Sequence, residues 1–219
     1  MMANTETDRR NRVKRAPDRG VYEREAIYEI VDAALICHVG FVQDGQPFVI
    51  PSIHARDGDE LLLHGATSSR LIRHVQSGHE VCVAITLLDG LVLARSIYSH
   101  SMNYRSAVLF GKGRLIEGNQ ERMHALEILS DHIMPGRWDD SRKPNEKEFK
   151  ATAVVSISIE SASAKVRTGP PNDDDEDYQL PIWAGVLPIE QRFLDPERDP
   201  RLFHGVELPD YIKEYHRKK

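Results

Sequence analysis

Cysteine is nearly missing from this 219-residue chain: only Cys37 and Cys82 occur, each alone inside an apolar run, LICHVGFV and EVCVAITL. A redox dithiol or a thiolate zinc site needs closely spaced pairs, so neither is available and both residues read as buried free thiols. No apolar run approaches the roughly 20 residues of a membrane span. The opening MMANTETDRRNRVKRAPDRG lacks the apolar stretch of a signal peptide. The expectation is a soluble, cytoplasmic protein whose residues 1–19 form a polar arm, disordered or wrapped on the surface. Nor is there a basic face with interleaved aromatics. The net charge is −5, Lys and Arg gather in the arm and the final HRKK, and acid clusters from Asp173 to Asp177, so nucleic acid is not an expected partner. HExxH and GxSxG are both absent, which leaves no spacing for a metal site or a serine hydrolase despite ten histidines. His74 and His79 read as part of a surface helix and its exit.

What is present is a succession of short β-rich runs. LICHVGFV and PFVIPSIHA flank QDGQ, and RDGDE precedes ELLLHG; Asp44-Gly45 and Asp57-Gly58 suit tight hairpins, so these runs read as a three-stranded meander. EVCVAITLL and LVLARSIY are separated by Asp89-Gly90, another turn signal, and RSAVLFGKGRLIEG supplies a long strand with Gly111 and Gly113 where a barrel could bend. TAVVSISIE and SASAKVRTG complete the β content. Between them, Ile27, Ile30, Val31 and Ala34 fall at i, i+3, i+4 and i+7 of one helix. TSSRLIRHVQSG offers a hydroxyl cap and a closing glycine to a second, and NQERMHALEILSDHIM predicts a third. Many short antiparallel strands with inserted helices predict a small barrel in one domain, residues 20–188. A C-terminal extension, 189–219, follows. From Pro170 onward the chain is Pro- and charge-rich apart from the apolar island LPIWAGVLP, and reads as an extended arm.

Three polar constellations invite a ligand. In HGATSSR, Ser68, Ser69 and Arg70 stand where a strand gives way to a helix, so hydroxyls, amides and a guanidinium could hold a phosphate; a plain helix cap fits as well. In HSMNYRSAVLFG, the donors His100, Ser101, Asn103, Tyr104, Arg105 and Ser106 crowd the start of the long strand as a ligand rim or a solvated loop. In SAKVRTG, Lys165 and Arg167 share a strand face by the period-two rule, as an anion site or as a charged edge strand. Trp138 and Trp183 are packing anchors, or partners for a flat π system.

The strings RGVYER, CHVGFV, DGQPFVIPS, HGATSSR, TLLDGLVLARS, HSMNYRS, PGRW, KATAVVSISIESASAKVRTGPP and WAGVLP, in that order, resemble the flavin-nucleotide-binding branch of the pyridoxamine 5′-phosphate oxidase-related proteins, kin to nitroimidazole reductases. The likeness spans Gly20 to Pro188. It implies a mainly β fold, a six-stranded antiparallel split β-barrel with inserted helices, that binds FMN at a homodimer interface. By the resemblance, Pro51, Ser52 and Ile53 lie beside the isoalloxazine, and His64, Gly65, Ala66, Ser69 and Arg70 line the flavin and its phosphate. Asn103, Tyr104, Arg105 and Ser106 add ribityl or phosphate contacts, and Trp183 covers the flavin from the partner chain. The implied activity is an FMN-dependent oxidoreductase that takes electrons from a reduced nicotinamide or another donor and passes them to a small oxidised acceptor, with His64 or His100 moving any proton. The alternative is a non-enzymatic flavin carrier, or a split barrel holding haem or a deazaflavin. The likeness does not extend to the arginine- and histidine-bearing C-terminal segment of authentic pyridoxamine phosphate oxidases.

Overall fold

The computed structural model describes residues 9–215. In chain order the elements are β1 (Gly20–Val21), α1 (Arg24–Ala33), β2 (Ile36–Gln43), β3 (Gln46–Ile53), β4 (Ala55–Asp57), β5 (Glu60–Ala66), α2 (Arg70–Gln76), β6 (Glu80–Leu93), β7 (Ser101–Leu115), α3 (Asn119–Ile133), α4 (Glu146–Ala151), β8 (Thr152–Ser158), β9 (Ser161–Arg167), β10 (Gly185–Pro188) and α5 (Asp210–Lys213). The mainly β, antiparallel architecture with inserted helices is the one the sequence predicts. The sheet has ten strands: the terminal segments add β1 and β10 to the eight runs read from the sequence, PFVIPSIHA divides into β3 and β4, and EVCVAITLL and LVLARSIY join as β6.

The main path of the sheet runs β3-β2-β6-β7-β8-β5-β4. Its turning point is β7, which pairs with β9 from Tyr104 to Phe110 and with β8 from Gly113 to Leu115. Gly111 and Gly113 make that change of partner possible. A Cβ on Gly111 would stand 1.8 Å from the Ser158 carbonyl oxygen, and one on Gly113 2.0 Å from Val75 Cγ1. At the other side β3 pairs with β2 alone, and the sheet is open between β3 and β5.

One expected turn and the expected three-stranded meander come out differently. The β2–β3 hairpin forms at Asp44-Gly45, both at positive φ, but the meander stops at His54: β3 and β5 sit at opposite sides of the opening. Asp89-Gly90 is not a hairpin. It is a bulge inside one fourteen-residue strand, where the register against β7 shifts between Leu88 and Gly90. Gly90 is needed there because β10 lies against it, with the Leu187 carbonyl 3.1 Å from where a Cβ would be.

The interior follows from alternation. On β5, Leu61 and Leu63 enter the main core with Val39, Phe41, Ile85, Leu109 and the α1 stripe Ile27, Ile30 and Val31, while Leu62 faces a second cluster with Ile116, Leu129 and Val154 beneath α3. Each such leucine contributes about 1.5–3 kcal/mol by leaving water. Cys37 belongs to the main core, whereas Cys82 is half-buried. His54 is fully buried; its Nε2 donates to the Val31 carbonyl (3.0 Å), and His132 Nε2 donates to that of Ala34 (2.8 Å), pinning the end of α1.

Both arms are tied down. Asn11 donates to the Ala162 carbonyl (3.1 Å), and Lys165 Nζ to that of Arg15 (2.8 Å). After β10 the chain runs irregularly to α5, which docks through Tyr211 on Asp140 (2.6 Å) and Tyr215 on the Ile133 carbonyl (2.7 Å). The first eight residues and the basic HRKK lie outside the described residues. Among those described, no helix is long and apolar enough to cross a membrane.

Candidate functional site

The opening beside β3 is where uncommitted charge collects. β5 ends at Ala66, and Thr67 to Ser69 carry the chain into α2, with the Ser69 amide donating to the Ala66 carbonyl (2.9 Å). Ser69 is the N-cap by position, yet its hydroxyl makes no capping bond. Because α2 has only seven residues, its terminus adds little field of its own. The attraction for an anion comes from side chains. Ser68, Arg70, Arg73 and Gln43 line a cavity of about 340 Å³. Arg70 sits over the Phe48 ring, its Cζ 4.2 Å from the centroid, and neither Arg70 nor Arg73 has a carboxylate partner among the described residues. Two guanidiniums that no described acid neutralises, beside a hydroxyl, make a donor set suited to an anion.

The residues predicted to flank a flat ring lie along the same opening. Pro51 is exposed opposite His38, and Ile53 is half-buried opposite Ile36. Ser52 donates to the Ile53 carbonyl (3.0 Å). Across the gap stand His64, Gly65 and Ala66, with Gly65 against Ile72 of α2. His64 keeps an exposed edge, but surrounding protein pushes its imidazole below the usual pKa, so it is neutral at pH 7 and can both donate and accept.

The second constellation is far from this opening and largely occupied. Arg105 makes a two-pronged pair with Asp89 (3.0 and 2.7 Å). Asn103 is buried, accepts from Arg167 and donates to the Gly169 carbonyl (3.1 Å). Ser106 donates to the Lys165 carbonyl (3.2 Å), and Tyr104 stands opposite Arg167. His100 Nε2 donates to the Ala94 carbonyl (3.2 Å) just before β7. His100 and His64 therefore do not meet within one chain.

Lys165 and Arg167 do share the outer face, as the period of two predicts. Lys165 holds the N-terminal arm, and Arg167 is buried against neutral oxygens, those of Asn103, Gly169 and Pro170. Burial and the nearby Arg19 lower its pKa. Trp183 folds onto Gly185 beside β10 and remains 69% exposed. Ile97 (86%) and Tyr98 (92%) are likewise exposed.

Sequence reasoning missed Arg73 and Gln43. Arg73 was within reach, since it stands three residues from Arg70 and i, i+3 pairs share a helix face; Gln43 reaches the cavity only through the hairpin. His74 was misjudged, because it is buried rather than on a surface: α2 turns that side toward Phe41, whose ring centroid is 4.4 Å away.

Comparison with known proteins places these features in a lineage. The family model described as pyridoxamine 5′-phosphate oxidase matches residues 23–166. The chain is similar to the flavocytochrome Anf3 from Azotobacter vinelandii, with 42% identity and a TM-score of 0.90 over 95% of this chain and 97% of that one. It is similar as well to the FAD and heme binding protein from Mycobacterium smegmatis, with 34% identity and a TM-score of 0.85 over 89% of this chain and 96% of that one. A protein provisionally described as a 5-nitroimidazole antibiotic resistance protein, from Bacteroides thetaiotaomicron, shows 27% identity and a TM-score of 0.57 over 67% and 86%. None of the curated proteins matches.

Proposed function

The chain belongs to the pyridoxamine 5′-phosphate oxidase family, and from that premise we propose that it is a flavin-dependent oxidoreductase whose flavin lies in the opening between β3 and β5. The observation that carries this reading is the pair of guanidiniums, Arg70 and Arg73, gathered with Ser68 around one cavity and neutralised by no described carboxylate. A flavin phosphate supplies the missing charge. The ring then extends past His64, Gly65 and Ala66 on one side and Pro51 to Ile53 on the other, where the unpaired edge of β3 offers backbone donors and acceptors to its polar rim. The flavin, when bound, supplies the electron chemistry, taking reducing equivalents from a nicotinamide and passing them to a small oxidised acceptor. Neutral His64 is the side chain placed to hydrogen-bond the ligand or relay a proton.

The working form is a homodimer. On the outer face Ile36, Val42 and Val49 are exposed, as are Ile97, Tyr98 and Trp183 elsewhere on the chain, apolar side chains that a partner chain would cover. In the dimer Trp183 covers the partner's flavin, and the second constellation approaches the cleft that it cannot reach within its own chain. A second reading adds haem. Two solved structures resembling most of the chain are named for a flavocytochrome and for FAD and heme, and the first, at 95% coverage, takes in most of the C-terminal extension.

The test is the visible spectrum and solution mass of the purified protein. A paired yellow band that bleaches under a reduced nicotinamide, in a particle of twice the chain mass, is expected, and an intense single band beside it identifies the second reading. A colourless monomer that takes up no added flavin rejects both.

A further inference from the structure

Residues 94–100 join β6 to β7, and the tip of this connection, a single turn at Ile97–Ser99, carries the two most exposed large apolar side chains among the described residues, Ile97 and Tyr98. A bare tip on a slack loop would be unremarkable. This one is fixed. The Asp173 side chain, fully covered, accepts from the Arg95 and Ser96 amides (2.9 and 3.1 Å) and from the Arg95 guanidinium (3.1 Å), which also lies over the Tyr178 ring. Ser96 Oγ accepts from the Tyr98 amide (3.2 Å), the Ser99 amide donates to the Ser96 carbonyl (3.1 Å), and His100 Nε2 closes the base on the Ala94 carbonyl (3.2 Å). Taking a carboxylate out of water is costly, and here it holds up two side chains that lie in solvent. Rigidity without an internal contact suits a docking element, whose ordering cost is then met before the partner arrives.

The register sets this tip beside Trp183. Gly185 of β10 stands opposite Leu93 and Val186 opposite Val92, so Trp183 and the turn leave the sheet at the same end of β6. β2 pairs only with the earlier part of β6, Cys82 to Ala84, and β3 lies beyond β2. Within one chain the tip and the unpaired edge of β3 are thus on opposite sides of β2. We infer that in the homodimer the turn Ile97–Ser99 of each protomer docks in the partner's opening between β3 and β5, with Tyr98 joining Trp183 against the flavin and Ile97 sealing the mouth. This rests on the flavin reading above and gives its site two residues that the reading leaves unassigned. A twofold interface is self-complementary, so one rotation brings tip to opening twice and closes both clefts with the same contact. The chemistry matches as well. A phenol ring has a flat face for a flat ligand, and tyrosine is among the side chains that carry most of the energy at the centre of an interface. The polar run from His100 to Ser106, which meets the same cleft in the dimer, begins directly behind the turn.

The full-length protein, stripped of flavin, is titrated with FMN and with FAD, and the tighter of the two is used throughout. Ile97 and Tyr98 are bare in the single chain, so replacing either leaves its packing intact. Tyr98→Ala is expected to lower flavin affinity at least about tenfold, a difference of about 1.4 kcal/mol, and Tyr98→Phe, which keeps the ring, to stay within about threefold of wild type. Which chain supplies the tyrosine is read from a mixed dimer. Tyr98→Ala and Arg70→Ala chains are co-expressed with different affinity tags, and the doubly tagged dimer is isolated. If the turn docks on the partner, one cleft of that dimer carries both defects and the other neither, so about one flavin per dimer is expected to bind with wild-type affinity. If Tyr98 served its own cleft, both clefts would be impaired and no tight site would remain. Absence of that tight site, or wild-type affinity in Tyr98→Ala, overturns the assignment and leaves the flavin reading standing. A wild-type monomer that binds flavin overturns it too. Binding of neither flavin removes the proposed function and this assignment together.

Discussion

The two sides of the sheet make opposite use of the same residue types. On the closed side, β7 passes from one partner to another over bare glycine backbone, and three arginines there already have their acids, Arg105 on Asp89, Arg95 on Asp173, and Arg114 on Glu60 and Glu121, while Arg167 is held by neutral oxygens. On the open side, β3 keeps an unpaired edge, and Arg70 and Arg73 keep their charge. Satisfied groups build the frame and unsatisfied ones wait for a ligand. An arginine is thus a candidate for binding only where the fold has failed to supply its counter-charge.

This contrast can be broken at several points. The largest effect belongs to the closed side: Gly111→Ala drives a methyl group into the Ser158 carbonyl, which is backbone and cannot step aside. A loss of about 3 kcal/mol or more is expected, read as a collapse of the denaturant midpoint or of soluble yield; an unchanged midpoint would show that β7 does not need the bare backbone. On the open side, Arg70→Ala should weaken flavin by about 1.5–3 kcal/mol, roughly ten- to a hundredfold, while the melting temperature of the flavin-free protein stays where it was. If affinity is unchanged, the phosphate lies elsewhere.

Acid tests the closed side more gently. The Asp173 side chain is buried; that burial alone would raise its pKa, but bonds from the Ser96 and Arg95 amides and the Arg95 guanidinium outweigh it and hold the carboxyl below the usual 3.8. Its stabilising contribution is therefore complete above about pH 4 and disappears as the pH falls through the depressed value. Melts of wild type and Asp173→Asn should converge on acidification, and a gap independent of pH would refute the role. The smallest effect is expected from Arg105→Ala. Its pair with Asp89 is partly exposed and contributes about 0–1 kcal/mol, and flavin binding should weaken less than in Arg70→Ala.

The open side was the more legible in the sequence. Hairpins at Asp44-Gly45, the helical stripe of α1 and the HGATSSR junction are local signals, and local chemistry decides them. What stayed hidden depends on residues distant in the chain. Asp89-Gly90 has the composition of a turn, and only the arrival of β10 nearly a hundred residues later makes it a bulge. Arg105 and Arg70 read alike until Asp89 is seen folded back onto one of them. His74 resembles a surface residue because its covering ring, Phe41, comes from another strand. The ordered motifs pointed to the family, but not to which of its polar residues the chain would spend on itself.

The pairing of β5 with β8 also sets a timetable. Leu61, Leu62 and Leu63 are buried on both faces of β5, yet the strand that covers its backbone begins at Thr152. At synthesis rates of about 5–20 residues per second, that partner leaves the ribosome roughly 5 to 20 seconds after β5 does. During that interval a strand with three buried leucines has only the short β4 hairpin for company. The nascent chain passes through a window in which it is prone to self-association, and a fragment ending before Thr152 would never leave it.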